Sequence, residues 1–543
     1  MFWERRACCV RLIPLAAALF LSACAQFDIP SSTTTSGAAD ALKQHVTVLA
    51  SDAFEGRETG TDGFALAADY VAGDFAAAGL LPISADDYRQ DVPLYKVERA
   101  SVSGEMTLTV DGSSRPLIAG EDVSFFPPIT NLGTSGKQSA SGELVFVGYG
   151  MTAPALGYDD YDGVDVADKI VIVLSGTPII TDPAARLHLR RLDTKRMTAV
   201  RNGAAAVVFA DPSPRSVRSL TRLRRSGRHD SLAMETRPDE AVPTAAMSYD
   251  LLTRLIDDTG YDGKSLIEGA SQGQQASLPL GVTADLTVSA SAQRLDAFNV
   301  VGVLPGRDPT FQNEAVVVTA HLDHLGTHQL AYFDFREEKR DDNTFNGALD
   351  NALGVAVLME VAERLSVSGR TNRTVIFAAV TAEEFGLLGS QHLAETIDML
   401  GYKPVANVNI DMPVMTYPLT DVIGFGVEHS SLKEPLDAAA AGVGVVATPD
   451  PVPSMSLFVR SDHYRFVQRG IPSVFLFNGM TGDEGQGFQA FMDEHYHQPS
   501  DDVHLPIRWH DAARFTDLAE DLIRRIADAP EAPTWNEGAV FAP

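Results

Sequence analysis

The chain reads as an α/β protein: a mostly parallel, twisted sheet covered by helices on both faces, with a β-rich segment inserted into it. Three observations predict this. The short apolar runs NVVGVL (299–304), AVVVTA (315–320), VIFAAV (375–380), VANVNID (405–411) and SVFLF (473–477) have the length and texture of strands buried on both faces. Between and after them, apolar residues recur at helical spacing, as at Leu358, Val361, Ala362 and Leu365 and again at Phe515, Leu518, Leu522 and Ile526. Strands that alternate with helices imply parallel neighbours joined by right-handed crossovers. The third observation is a change of texture between about 92 and 290. There, strand-like runs alternate with loops rich in Pro, Gly and Ser.

In order, residues 1–23 read as an export signal. Arg5, Arg6 and Arg11 give it a basic start, and the apolar run 12–21 is too short to span a bilayer. The run ends in Leu21-Ser22-Ala23-Cys24, which resembles a bacterial lipobox, with cleavage before Cys24 and lipid on its sulfur. Ala25 after that cysteine resembles the outer-membrane sorting pattern. The expected location is therefore the cell envelope, with the chain anchored in the outer membrane and facing the periplasm. Cys8 and Cys9 lie in the removed segment, so the mature chain would hold no free thiol and no disulfide. Residues 24–39, with SSTTTSG, read as a flexible tether.

Residues 40–95 open the α/β unit. LASDAFEGRETGTDG (49–63) is a polar, glycine-rich loop; Ala67, Val71, Phe75 and Ala78 mark a helix behind it, and Gly79 is suited to end it. The insertion, 96–295, contains MTLTV, GELVFVGYG, KIVIVLSG and GAAAVVFA, a basic helical patch at 186–201 and the basic run RLRRSGRH at 222–229, which reads as a solvated loop. It shows no pairing of His, Cys or carboxylate that would carry chemistry. Residues 296–530 complete the α/β unit, and 531–543 are a tail. At 543 residues, 45% hydrophobic and 21% charged, the chain has room for such a two-part architecture. Its formal net charge of −29 argues against nucleic acid as a partner. The lipid on Cys24 would be its one membrane contact, and the oligomeric state is not readable.

The chemistry gathers at the ends of the predicted strands, where open α/β sheets bind their ligands. His321 and Asp323 follow one strand, Glu383 and Glu384 another, and Asp411 a third. Asp350 opens the helix of Leu358, and His497 lies in a late loop, HYHQPSDD, where His495 is its competitor. Adjacent carboxylates such as Glu383 and Glu384 repel at a buried strand end unless a cation or proton compensates them. A donor set of His, Asp and Glu without thiolate suits two Zn²⁺ ions, with Mn²⁺ or Co²⁺ as alternatives. Such a pair, about 3.5–4 Å apart, needs a bridging carboxylate and a base beside a water.

The motifs TAHLDHLG, NGALDNALGV, TAEEFGLLGS, NIDM and YHQPSDD, with SDHYRF and GIPSVFLF, resemble in order and spacing those of the secreted and periplasmic di-zinc aminopeptidases. That family is related to glutamate carboxypeptidase and glutaminyl cyclase. The resemblance covers about 40–95 and 296–530, and implies a zinc exopeptidase fold and peptide substrates. It implies His321 and Asp411 on one zinc, Glu384 and His497 on the other, and Asp350 between them. Glu383 would be the general base, and Asp323 would orient His321. FVGYGMTAPALGYDDYDGVDVADKIVIVL (146–174) resembles the protease-associated domain that many members carry. Leu349 and Leu353 depart from the family pattern at positions that are not ligands. Asp462 and His463 are expected at the site wall or just behind it; the consecutive Ser461, Asp462 and His463 cannot converge as a serine triad because successive side chains diverge. A carboxypeptidase or dipeptidase, a glutaminyl cyclase, and a binding lipoprotein without catalysis are the other readings. The last predicts decay of Glu383 or of a ligand, and none is lost.

Overall fold

The structure is a computed structural model that describes residues 35–84, 87–130, 132, 136–214, 231–235, 237, 239–327, 342–480, 482 and 484–542. The expected signal segment with Cys24, most of the tether and the basic run 222–229 lie outside the described residues.

Two large sheets organise the chain. Among the described residues the first has nine strands, and four of them form its parallel centre: Thr374–Val380, Glu314–His321, Lys403–Ile410 and Ser473–Asn478, side by side in that order. These are the apolar runs read from the sequence. Towards the edges the sheet becomes mixed. Phe298–Leu304 pairs antiparallel with Thr374–Val380, and Asp421–Phe425 pairs antiparallel with Ser473–Asn478. Both strands are wholly buried and flanked by others, so burial alone does not reveal their direction.

Side chains alternate across the central strands as the pleat requires. Val316, Val318 and Ala320 face one core, with helices Leu353–Ser368, Thr35–Leu49, Asp62–Ala77 and Trp509–Asp528. Ala315 and Val317 face the other, with Leu393 and Ile397 around helix Leu388–Thr396 and Phe466 of helix His463–Val467. Helix Leu353–Ser368 is buried nearly all round, from Leu353 through Ala362, because a second layer of helices covers it. The helix at Thr35–Leu49 starts inside the segment expected to be a tether, with Ala38 and Ala39 buried. Its small Gly and Ala residues look like linker composition, but Ala38, Ala39 and Ala41 are buried, and small side chains suit close packing against helix Trp509–Asp528.

Among the described residues the second sheet has eight strands, from Ser103–Val110 to Leu278–Ser289, and two cores of its own. It meets the first unit at a three-stranded sheet of Leu94–Val97, Ala292–Arg294 and Ser231–Met234. Side chains also join the units directly: Arg465 donates to Asp193 at 2.8 Å, Arg469 pairs with Glu240 at 2.9 Å, and His188 shares a 2.8 Å hydrogen bond with Tyr464. The tail docks as well, since Trp535 donates to the Gly470 carbonyl and buried Phe541 packs on Phe458, His188 and His429. Among the described residues no helix is long and apolar enough to cross a membrane.

Candidate active site

Three neighbouring parallel strands deliver their functional side chains to one point. His321 is the last residue of its strand, Asp411 follows Ile410 directly, and Glu383 and Glu384 lie just past Val380. Asp350 arrives on the turn before helix Leu353–Ser368. Gly347 begins that turn at φ +54°, and a Cβ there would collide with the Asp350 carbonyl and the His324 ring. His497 comes from the loop before the last helix.

These side chains meet. His321 Nε2 is 3.0 Å from Asp411 Oδ1 and 3.3 Å from Asp350 Oδ1. The other Asp350 oxygen, Oδ2, is 3.2 Å from His497 Nε2, which is itself 3.3 Å from Glu384 Oε2. Asp350 thus divides its two oxygens between two imidazoles on opposite sides. His495 lies outside this cluster, bonded to Ser500 at the surface.

Charge in the cluster is badly out of balance. Asp323, Asp350, Glu383, Glu384, Asp411, Asp462 and Asp501 crowd around His321, His324 and His497, and most are buried. Burial, with repulsion from Glu384, Asp411 and Asp462, holds the Glu383 carboxyl well above its ordinary range. Burial likewise raises Asp323 to about 7 and Asp462 to about 6. Although burial opposes it, Glu384 and Asp350 pull His497 up to about 9, and Asp411 and Asp350 hold His321 well above its usual value. A buried surplus of carboxylate is costly unless cations compensate it. His321, Asp350 and Glu384 each offer a ligand atom, all within 4.8 Å of one another. The residues therefore fit metal binding.

Some supporting residues were not visible in the sequence. His324, three residues after His321, is buried with Nδ1 2.8 Å from Glu384 Oε1. Ser461 donates to Asp411 Oδ2 at 2.5 Å and accepts from Asn409, which in turn accepts from Thr319. Asp501 accepts the backbone N–H groups of Leu349 and Asp350 with its two oxygens. Buried Arg57, from the loop read only as polar, donates to the carbonyls of Leu49, Leu322, Asn346 and Gly347 and so ties the His321 and Asp350 loops together.

Of the expected roles, that of Asp323 changes in detail. Asp323 reaches His321 through its main-chain carbonyl, 3.0 Å from Nδ1, while its carboxylate accepts the N–H of Glu383. The short spacing between residues 321 and 323 brings the carbonyl, not the side chain, to the ring. His463 does not face the cavity: Nε2 meets the Phe458 carbonyl at 2.6 Å and the ring stacks on Phe475. Of its two expected places it takes the one behind the wall. Asp462 is buried beneath the site.

The cavity above the cluster has two parts. An inner chamber is lined by Met412, Met455, Leu457, Phe475, Phe477, Phe488 and Met492, and Arg460 and Tyr496 line both it and the outer cleft. An outer cleft continues past Glu383, Glu384 and His497 between residues 454–460 and the helix Pro183–Arg190 of the second unit.

Residues 299–523 match the model of peptidase family M28. Over 489 residues the chain is 24% identical to the "Probable lipoprotein aminopeptidase LpqL" of Mycobacterium tuberculosis, a match that covers 85% of this chain and 80% of that protein. It is 25% identical to the "Leucine aminopeptidase 2" of Trichophyton equinum over 285 residues, 48% of each. A solved zinc aminopeptidase, BSAP from Bacillus subtilis, aligns with 93% of this chain and 98% of its own at 18% identity and a TM-score of 0.43.

Proposed function

We propose that this chain, which belongs to peptidase family M28 and is a zinc metallopeptidase, removes single residues from the free N-termini of peptides. The observation that carries the reading is Asp350, whose two oxygens serve two separate imidazole–carboxylate pairs. His321 and Asp411 would hold one ion, Glu384 and His497 the other, and Asp350 both. Zn²⁺ suits these donors, and Mn²⁺ or Co²⁺ would also be accepted.

When bound, the ions polarise the scissile carbonyl and make a nearby water acidic enough to attack at neutral pH. Glu383 takes that water's proton on its carboxylate and returns it to the leaving amine. Arg460 and Tyr496 are the donors available to the developing oxyanion. The substrate's ammonium group is stabilised by the surplus of carboxylates, and its first side chain fills the chamber of Met and Phe residues. That chamber favours large apolar residues such as Leu, Met or Phe at the N-terminus. The second unit reads as a protease-associated domain that walls the cleft. The lipobox-like Leu21-Ser22-Ala23-Cys24, together with the lipoprotein relative, supports a lipid-anchored position in the cell envelope, facing the periplasm.

The test is a matched pair of leucine-headed peptides, one with a free N-terminus and one N-acetylated, with products identified by mass. Release of free leucine from the first alone is expected. Equal cleavage of the acetylated peptide, or earlier release of the C-terminal residue, would overturn the aminopeptidase reading.

A further inference from the structure

The helix Pro183–Arg190 of the second unit is fixed on three of its sides. Ala185 and Leu189, four residues apart, are buried in that unit's own core. Ala184 and Leu187 pack against the core of the peptidase unit. His188 meets Tyr464 of the peptidase unit, and Asp182 caps the first turn by accepting the Ala185 N–H. The remaining stripe carries Arg186 and Arg190, also four residues apart, and both line the outer cleft. The helix therefore presents two guanidinium groups to the cleft on a rigid support.

Two neighbouring arginines are committed elsewhere. Arg191 pairs with Asp193 at 3.1 Å and lies over the Tyr464 ring, and Arg465 donates to the same Asp193 and to the Gly386 carbonyl. Among the described residues, Arg186 and Arg190 have no ion-pair partner, in a chain whose net charge is −29. Two uncommitted guanidinium groups thus face a site rich in carboxylates. The N-terminal residue of a substrate occupies the inner chamber, so the rest of the peptide must lie along this outer cleft. Its acidic end then meets the arginines.

We infer that Arg186 and Arg190 form a carboxylate-binding subsite on the leaving-group side of the cleft. The enzyme thereby selects peptides that carry a carboxylate within a few residues of the cleaved bond. This rests on the aminopeptidase reading and deepens it. Arg is suited to the task because its planar fork can bind a carboxylate through two parallel hydrogen bonds and never loses its charge. The carboxylate can be the C-terminus of a short peptide or an Asp or Glu side chain of a longer one. The cleft is open to solvent, so the preference is moderate and weakens with salt.

The experiment compares kcat/KM for Leu-Gly-Gly, its C-terminal amide, and the amide of Leu-Glu-Gly, in the metal-loaded wild type, in Arg186→Gln/Arg190→Gln and in Arg186→Lys/Arg190→Lys. The readout is the ratio of acid to amide within each protein, so a general loss of activity cancels. At low salt the wild type should prefer the acid by about tenfold, mainly through KM. The ratio should fall towards one in the Gln variant and recover partly in the Lys variant. A Leu-Glu-Gly amide cleaved as well as the acid supports a side chain as the source; one no better than the Leu-Gly-Gly amide supports the C-terminus. If the wild type cleaves acid and amide equally well, or the Gln variant keeps the preference, the subsite is overturned while the aminopeptidase reading stands. If the wild type cleaves none of the three, both fall.

Discussion

Glu383 is held by its backbone, which donates to Asp323, while its carboxyl lies at the junction of the inner chamber and the outer cleft. Among the described residues no hydrogen bond or ion pair joins it to an imidazole, whereas Glu384 contacts His324 and His497. A base needs that freedom, because it must change its proton without releasing an ion. Glu383→Gln should therefore retain wild-type zinc by elemental analysis and lose about 10²–10⁴-fold in turnover. A fully metallated variant with near wild-type rate would remove Glu383 from this role. The residues at strand ends were legible in the sequence because each follows an apolar run with no intervening turn. His324, Ser461 and Arg57 were not. Their roles depend on partners 60, 50 and up to 290 residues away, and nothing local distinguishes them.

Among elements, the loop 495–502 does two jobs. It delivers His497, and through Asp501 it holds the turn that carries Asp350. An amide at 501 keeps one acceptor oxygen and sets an NH₂ group against a backbone N–H. Asp501→Asn should thus loosen Asp350 and weaken zinc retention by about 10–100-fold, as loss of a ligand's supporting partner commonly does. Competition with a chelator measures this, and unchanged retention would show that the turn holds without Asp501. The central strands and the long helices were readable because their apolar periods are unambiguous. Strand direction at the sheet edges was not, since a run such as Phe298–Leu304 is buried whichever way it points. The first helix was hidden by its linker-like composition, and the second sheet was visible as texture but not as topology.

At the scale of the whole molecule, two units meet over the cleft, and the second contributes its wall. That arrangement needs only to be held near its substrates, and Cys24 is the proposed point of attachment. Cys24→Ala should yield unprocessed or mislocalised protein, read by fractionation and by the mass of the mature N-terminus. Wild-type protein found entirely soluble in the periplasm with an unlipidated N-terminus would contradict the anchor.

The packing of helix Thr35–Leu49 against helix Trp509–Asp528 places the earliest and latest helices of the described chain side by side in one core. Whether the chain emerges from a ribosome or across a membrane, one of them comes first and the other last. The second unit, made between them, can collapse around its own two cores first. The peptidase unit must wait, with its opening helix unpartnered, until the closing helix has emerged. Contacts so distant along the chain form slowly, because a long loop must be closed before they give any return. The core that supports the catalytic strands is therefore completed last, and a polypeptide cut short before residue 509 could not complete it.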